Sequence, residues 1–205
     1  MKRFSILPAT ILVALTACGG GESSNQMPAN QPEQTPAAQQ QPAQQAAQAD
    51  PSSAPMETPD WFKYDKASNT VTMTITAGLT DAKNHWNYNG AHDGNMIITV
   101  PQGAKVTIDF KNDDPAMAHS IGIVDKVGGY SATPTLDPVF DGAVSMPHSA
   151  TDGLAPGKSE TINFTAAKAG NYAAICYMAG HAATGMWIHF NVSADGSAGV
   201  QSAGS

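Results

Sequence analysis

Four stretches of this sequence alternate apolar and polar residues, and that period of two limits the possible folds more than any other feature. VTMTITAGL sets Val71, Met73, Ile75, Ala77 and Leu79 on one side, and AKVTIDFKN does the same with Val106, Ile108 and Phe110. ETINFTA offers Ile162 and Phe164, and MWIHFNV offers Met186, Ile188, Phe190 and Val192. Successive side chains on a strand point to opposite faces, so each stretch predicts a half-buried strand. MIITVP, HSIGIV and GNYAAICY extend the set to about seven or eight strands, bounded by Gly, Pro, Asn and Asp, as in a β-sandwich. No helical stripe and no internal repeat follows residue 60. Residues 60–195 therefore predict one all-β domain, long enough to bury roughly two thirds of its unfolded surface.

The ends of the chain read differently. MKRFSILPATILVALTACGGG opens with Lys2 and Arg3 and continues with an apolar run from Phe4 to Ala17. A membrane span needs about 20 apolar residues, so this shorter run predicts an export signal over residues 1–17. Leu15-Thr16-Ala17-Cys18 resembles the lipobox of bacterial lipoproteins, which makes Cys18 the expected acylated N-terminus of the mature chain. Ordinary signal cleavage near Ala17 is the alternative. Residues 18–59, rich in Gln, Ala and Pro and nearly without large apolar side chains, are expected to be a disordered tether of roughly 35 Å root-mean-square span. Residues 196–205, GSAGVQSAGS, are expected to be a flexible tail.

Charge excludes one class of partner. The chain has 10 basic against 17 acidic residues, and the signal segment removes two of the bases. An acidic protein with no basic patch is not built for nucleic acid. Cysteine usage points further. An exported domain normally pairs its cysteines, yet with Cys18 acylated, Cys176 has no partner. A lone exported thiol is an oxidation liability unless a metal occupies the sulfur or the core buries it.

AAICYMAGHAATGMWIHF favours the metal. Cys176, His181 and Met186 stand at equal intervals in one strand-connecting loop, and Gly180 and Gly185 permit tight turns before His181 and Met186. A further ligand has to come from another loop. NDDPAMAHSIGIV supplies His119 where a Pro-containing turn enters a strand; His148 in SMPHSA is its nearest rival. A thiolate, two imidazoles and a thioether suit copper cycling between two oxidation states, whereas zinc takes four strong donors and has little use for methionine. The irregular segment 125–157 is longer than most loops in compact domains and is expected to cover one end of the sandwich.

The loop NYAAICYMAGHAATGMW resembles the ligand loop of cupredoxins, with the C-x4-H-x4-M spacing of the sulfocyanin and rusticyanin group. HWNYNGAHDGNMIITVPQGAKVTIDFKNDDPAMAHS is similar to the sulfocyanin pattern of an N-x-x-G segment, a V/I-P-x-G turn, an F-x-N strand end and a final His-Ser. DPVFDGAVSMPHSATDGLAPG resembles that family's long connection. The resemblance covers roughly residues 60–193. It implies a cupredoxin-like Greek-key β-sandwich and a type 1 copper electron-transfer protein. His119, Cys176 and His181 would lie in the plane of one copper ion and Met186 would be axial.

Ser120 stands where many cupredoxins carry Asn, as in the sulfocyanin and rusticyanin relatives. The lipoprotein-like start departs from the membrane span common among archaeal sulfocyanins and implies a bacterial envelope, with the anchor facing an extracytoplasmic space. Implied partners are transient redox proteins of cytochrome or terminal oxidase type, met by a monomer with no substrate turnover of its own. An exported copper sequestration or delivery protein is the alternative.

The remaining candidates have plainer expected roles. His85, His92 and His189 are expected as surface or cross-strand residues, with His85 and His92 able to hold an adventitious metal. Trp61, Trp86 and Trp187 are expected as core or rim packing, with an electron relay as the less favoured alternative. Beside His181, Ala182, Ala183 and Met178 predict a small uncharged rim through which a partner would reach an accessible imidazole edge.

Overall fold

The structure, a computed structural model, describes residues 55–203. The expected signal segment 1–17, Cys18 and the linker as far as residue 54 lie outside the described residues. Among those described, no helix is long and apolar enough to cross a membrane, and the regular structure is almost entirely β.

Nine strands form two sheets. They are β1 (Phe62–Asp65), β2 (Thr70–Ala77), β3 (Met96–Pro101), β4 (Lys105–Asn112), β5 (Gly122–Val124), β6 (Ser159–Thr165), β7 (Gly170–Ile175), β8 (Trp187–Ser193) and β9 (Gly199–Ser202). One sheet has the order β1-β2-β4-β6 and the other β5-β7-β8-β3-β9. β2 runs parallel to β4 and β3 parallel to β8, while the other neighbours are antiparallel. This is the predicted Greek-key sandwich, and the period-two residues do the predicted work except Leu79, which lies past the end of β2 and is exposed. Val71, Met73, Ile75 and Ala77 of β2 meet Val106, Ile108 and Phe110 of β4, Ile162 and Phe164 of β6, and Ile188, Phe190 and Val192 of β8 in one core.

Two boundaries differ from expectation. The segment expected as a flexible tail supplies β9, which pairs with β3 from Thr99↔Gly199 to Met96↔Ser202. Val200, a lone apolar residue in a Gly/Ser/Ala background, is its buried contribution to the core. At the other end, ordered structure begins before Asp60: Glu57 exchanges backbone hydrogen bonds with Val200 in both directions, each 2.8 Å. The domain therefore extends beyond 60–195 on both sides. β1 was not foreseen either, because its four residues alternate too briefly to register.

The segment 125–157 has no strand of its own and acts as a cover. The inward face of β7 (Tyr172, Ala174, then Cys176) joins the main core. Its outward face (Ala173, Ile175, then Tyr177) would be wet in a bare sandwich. Instead it packs with Val124, Tyr130 and Ala182 into a second buried cluster, flanked by Leu136 and Val144 of the cover. Further hydrogen bonds tie the cover to the connection after β7: Gly180 N–H to Ala132 O at 2.7 Å, Ala179 N–H to Ala150 O at 2.9 Å, and Tyr177 O–H to Leu136 O at 2.9 Å.

Candidate metal centre

Asn112 begins the construction of the site. It ends β4 at an inward, fully buried position where an apolar side chain is the rule, so its amide must find partners. Nδ2 donates to Met117 O and to Leu154 O, both at 2.8 Å, and Oδ1 accepts the N–H of Asp114 at 3.0 Å. One side chain thus fixes the turn 113–118 against the cover. Within that turn, Asp114 Oδ1 accepts the N–H groups of Ala116 (2.8 Å) and Met117 (3.0 Å), and Oδ2 accepts Nε2–H of His119 at 2.8 Å. The backbone of His119 is paired both ways with Leu154 of the cover.

The Asp114 contact decides the tautomer of His119. With Nε2 carrying the proton toward the carboxylate, Nδ1 is left as a bare electron pair directed inward. Burial pushes Asp114 up, but the hydrogen bonds from His119, Ala116 and Met117 outweigh it and hold the carboxyl below its usual range. His119 is held below its ordinary value by burial, against the opposing pull of Asp114.

The other side of the site is the β7–β8 connection. The ladder continues one pair past Ile175↔Trp187, with Cys176 N–H donating to Met186 O at 3.2 Å, so cysteine and methionine face each other across the sheet. Met186 N–H donates to His181 O at 2.8 Å, and a short 3-10 turn, Ala182–Thr184, fills the interval. Gly185 closes that turn at φ 118°, and a Cβ there would run into the Asp93 carboxylate. Glycine is therefore required on conformational grounds, and any side chain would also displace the Asp93 carboxylate.

Nδ1 of His119 and Nδ1 of His181 are 3.2 Å apart, and Cys176 Sγ lies 3.5 Å from the latter and 4.0 Å from the former. A circle through those three atoms has a radius of about 2.1 Å, the length of a metal–nitrogen bond and close to that of a metal–sulfur bond. Among the described residues this is the only group of three or more His, Cys, Asp or Glu donors close enough to share an ion. All three residues and Met186 are at most 1% exposed.

Burial raises the Cys176 thiol above its ordinary value, partly offset by hydrogen bonds centred on Ser120. Ser120 N–H points at Sγ from 3.5 Å, and Ser120 Oγ accepts Tyr177 N–H at 2.9 Å. Burial, then the neighbouring His119, lowers His181 to about 4. Two imidazole nitrogens and a sulfur turned toward one another in a dry pocket, where burial disfavours charge on each of them alone, are an arrangement that a cation relieves.

His148 is not in the group: Nδ1 lies 3.0 Å from Ser145 O, and the ring packs edge-on against Tyr177. His85 Nδ1 sits 3.3 Å from Gly78 O and His92 pairs with Asp93 at 2.8 Å, so neither joins a metal cluster. His189 packs against Trp187.

The expected accessible edge of His181 is not there. Ala183 is exposed, but His181 is 1% exposed, because Trp86 from the β2–β3 connection stacks on it with centroids 4.0 Å apart and rings 21° from parallel. Sequence reasoning favoured packing over an electron relay for Trp86, without linking it to His181, and passed over Asp114 and Asn112. The acid five residues before His119 was a signal for Asp114. For Trp86 the signal was fainter. Lys83, Asn84 and His85 before it all adopt left-handed φ values of 52°, 58° and 66°, a conformation that Asn and His tolerate better than most residues. At about 1–3 kcal/mol for each such residue, that is an expensive way to place one side chain.

The donor set selects the metal. Soft sulfur with imidazole, and no fourth hard donor in the group, fits copper better than zinc. Fold and donors together make this a blue copper protein of the cupredoxin class, with a site suited to one copper ion.

The particular family emerges on comparison. Residues 58–201 match the family described as "Sulfocyanin (SoxE) domain", and the chain belongs to it. It is 28% identical over 130 residues to sulfocyanin of Sulfolobus acidocaldarius, covering 60% of this chain and 64% of that one. It is 34% identical over 98 residues to rusticyanin of Acidithiobacillus ferrooxidans, covering 45% and 48%. The chain thus spans less than two thirds of the length of either relative. Among solved structures, a substituted rusticyanin aligns at 25% identity with TM-score 0.49, covering 68% of this chain and 87% of that one. Auracyanin from Roseiflexus castenholzii aligns at 32% identity with TM-score 0.42, covering 60% and 96%.

Proposed function

We propose that this protein is a one-electron carrier of the cell envelope, in which His119, Cys176, His181 and Met186 would hold one copper ion. Bound there, copper supplies a couple between Cu(II) and Cu(I). The chain's own contribution is to make that couple fast by keeping the donors still. The observation that carries the reading is the convergence of two imidazole Nδ1 atoms and Sγ on a ring of bond-length radius, each residue fixed from behind: His119 by Asp114, Cys176 by Ser120, His181 by the backbone of Met186. Donors already in place need little movement when the charge on the metal changes.

The lipobox-like Leu15–Cys18, acylated at Cys18 and followed by the tether, would hold the domain near a membrane on its extracytoplasmic side. Its partners there are redox proteins of cytochrome or terminal oxidase type, met transiently, and the protein has no turnover of its own. Nearly complete burial of the donors argues against the alternative of copper delivery, since a donor that hands its ion on has to expose it.

The test is an absorption and paramagnetic-resonance spectrum of the copper-loaded protein, with voltammetry, repeated for Cys176→Ser. An intense thiolate-to-copper visible band that disappears in the variant, together with a reversible one-electron wave, is the expected result. Colourless protein that binds Cu(I) and gives it up readily would favour delivery. An unchanged spectrum in Cys176→Ser would remove the site.

A further inference from the structure

We propose that Trp86 is the residue through which electrons enter and leave the site, and that a redox partner docks on Trp86 instead of on a copper-ligating histidine. The proposal rests on the electron-carrier reading above. All four donor residues are sealed from solvent, at most 1% exposed. Trp86 is partly exposed and lies flat on His181, centroid to centroid 4.0 Å, so it joins the buried imidazole to the surface by direct π contact. Electronic coupling falls steeply across gaps, and a stacked indole removes the gap.

Two features show that this placement is specific. The three left-handed residues Lys83–His85 put the indole there, and the fully buried Asn87 beyond it pins the turn by donating to Thr80 O (2.8 Å) and Ala82 O (2.9 Å) and accepting Gly90 N–H (3.0 Å). Second, Trp86 Nε1 is buried without a hydrogen-bond partner. A phenylalanine could cover His181 without that orphan donor, so mere covering does not explain the tryptophan.

The nearby surface offers a weakly held partner one exposed apolar side chain beside one exposed acid, Asp81, of the same turn. Leu79 follows Gly78, whose backbone is bonded to Asn87, and is 52% exposed. The cation of the turn, Lys83, is already paired with Asp93 at 2.8 Å. A small interface of this kind is what transient redox encounters use. In the step itself, one electron passes from the reduced partner to the copper-bearing site or back; one protein is oxidised, the other reduced, no bond breaks and the indole is unchanged.

Electron self-exchange between oxidised and reduced copies of the copper-loaded protein, followed by NMR line broadening, tests this with the protein as its own partner. Trp86→Ala should slow exchange by roughly tenfold to a hundredfold, the scale that an ångström of misplacement between reacting groups carries. The visible band should persist. Trp86→Phe should slow exchange less and should not lower the melting temperature of the copper-free protein, since it removes an orphan N–H.

Exchange in Trp86→Ala as fast as or faster than in the unsubstituted protein would overturn the proposal and make Trp86 a cover over His181. If Trp86→Ala does not fold, the indole N–H resonance of Trp86 in the unsubstituted protein, identified by its loss in Trp86→Phe, must shift as the concentration of the reduced protein is raised. Its failure to move, while other surface resonances do, refutes the docking site. A lack of any reversible couple in the unsubstituted protein would sink the electron-carrier reading and this proposal with it.

Discussion

Acidifying the metal-free protein tests the electrostatics of the site directly. An ordinary histidine titrates at 6.5, and burial together with His119 lowers His181 to about 4. Between those values the unfolded chain takes up a proton at this position and the folded chain does not. Stability therefore falls as pH falls through that window. The loss approaches about 3 kcal/mol when the folded-state value is reached, at 1.36 kcal/mol for each pH unit separating the two titrations. His119, also held below its ordinary value, acts in the same direction. Asp114, held below 3.8, matters only in more acid solution.

For a domain of this size that loss is about 10 °C in melting temperature. The assay is thermal or urea unfolding of the copper-free protein at pH 7 and pH 4, alongside His181→Gln, which should lose most of the slope. The copper-loaded protein should also lose most of it, because the metal occupies the nitrogen that a proton would take. Equal stability of the copper-free protein at the two pH values, or an undiminished slope in His181→Gln, would refute the assignment of His181 as a buried neutral imidazole.

Three further expectations concern single side chains. Asp114→Ala strips His119 of its Nε2 acceptor and two backbone amides of theirs, and should weaken copper binding by roughly tenfold to a hundredfold in a competition titration with a chelator. Met186→Leu should keep the visible band while raising the reduction potential by voltammetry, because loss of a donor costs the more electron-poor Cu(II) more than Cu(I). Gly185→Ala drives a Cβ into Asp93 in a left-handed conformation, and should cost about 1–3 kcal/mol of copper-free stability by urea unfolding and loosen copper as Met186 shifts.

The parts legible in sequence were those carried by periodicity or by chemistry confined to one short stretch. β2, β4, β6 and β8 could be read because each alternates long enough to show its buried face. The pairing of Cys176 with His181 and Met186 could be read because one loop holds all three. What escaped depends on contacts between distant segments. β9 looked like a tail because only Val200 marks it, and its partner strand lies on the far side of the domain's sequence. Asn112 looked like an ordinary strand end, yet it is the pin on which Asp114 and then His119 depend. Trp86 looked like packing because its neighbour His181 is remote in sequence and the left-handed turn before it has no strong signature. The cover was legible as an irregular segment over one end of the sandwich, but only the structure shows that Tyr130, Leu136 and Val144 keep the outer face of β7 dry.

The position of β3 bears on how the chain assembles. Its backbone bonds only to β8 and β9, both far downstream, so during synthesis Met96–Pro101 emerges with nothing to complement it. It is also wholly buried in the finished sheet. A nascent Met-Ile-Ile-Thr-Val run with free amides is the kind of template on which separate chains zip together. Rapid release of an unfinished product would thus invite clumping, and the exposure of this strand lasts until the far end of the domain arrives to shut the sheet.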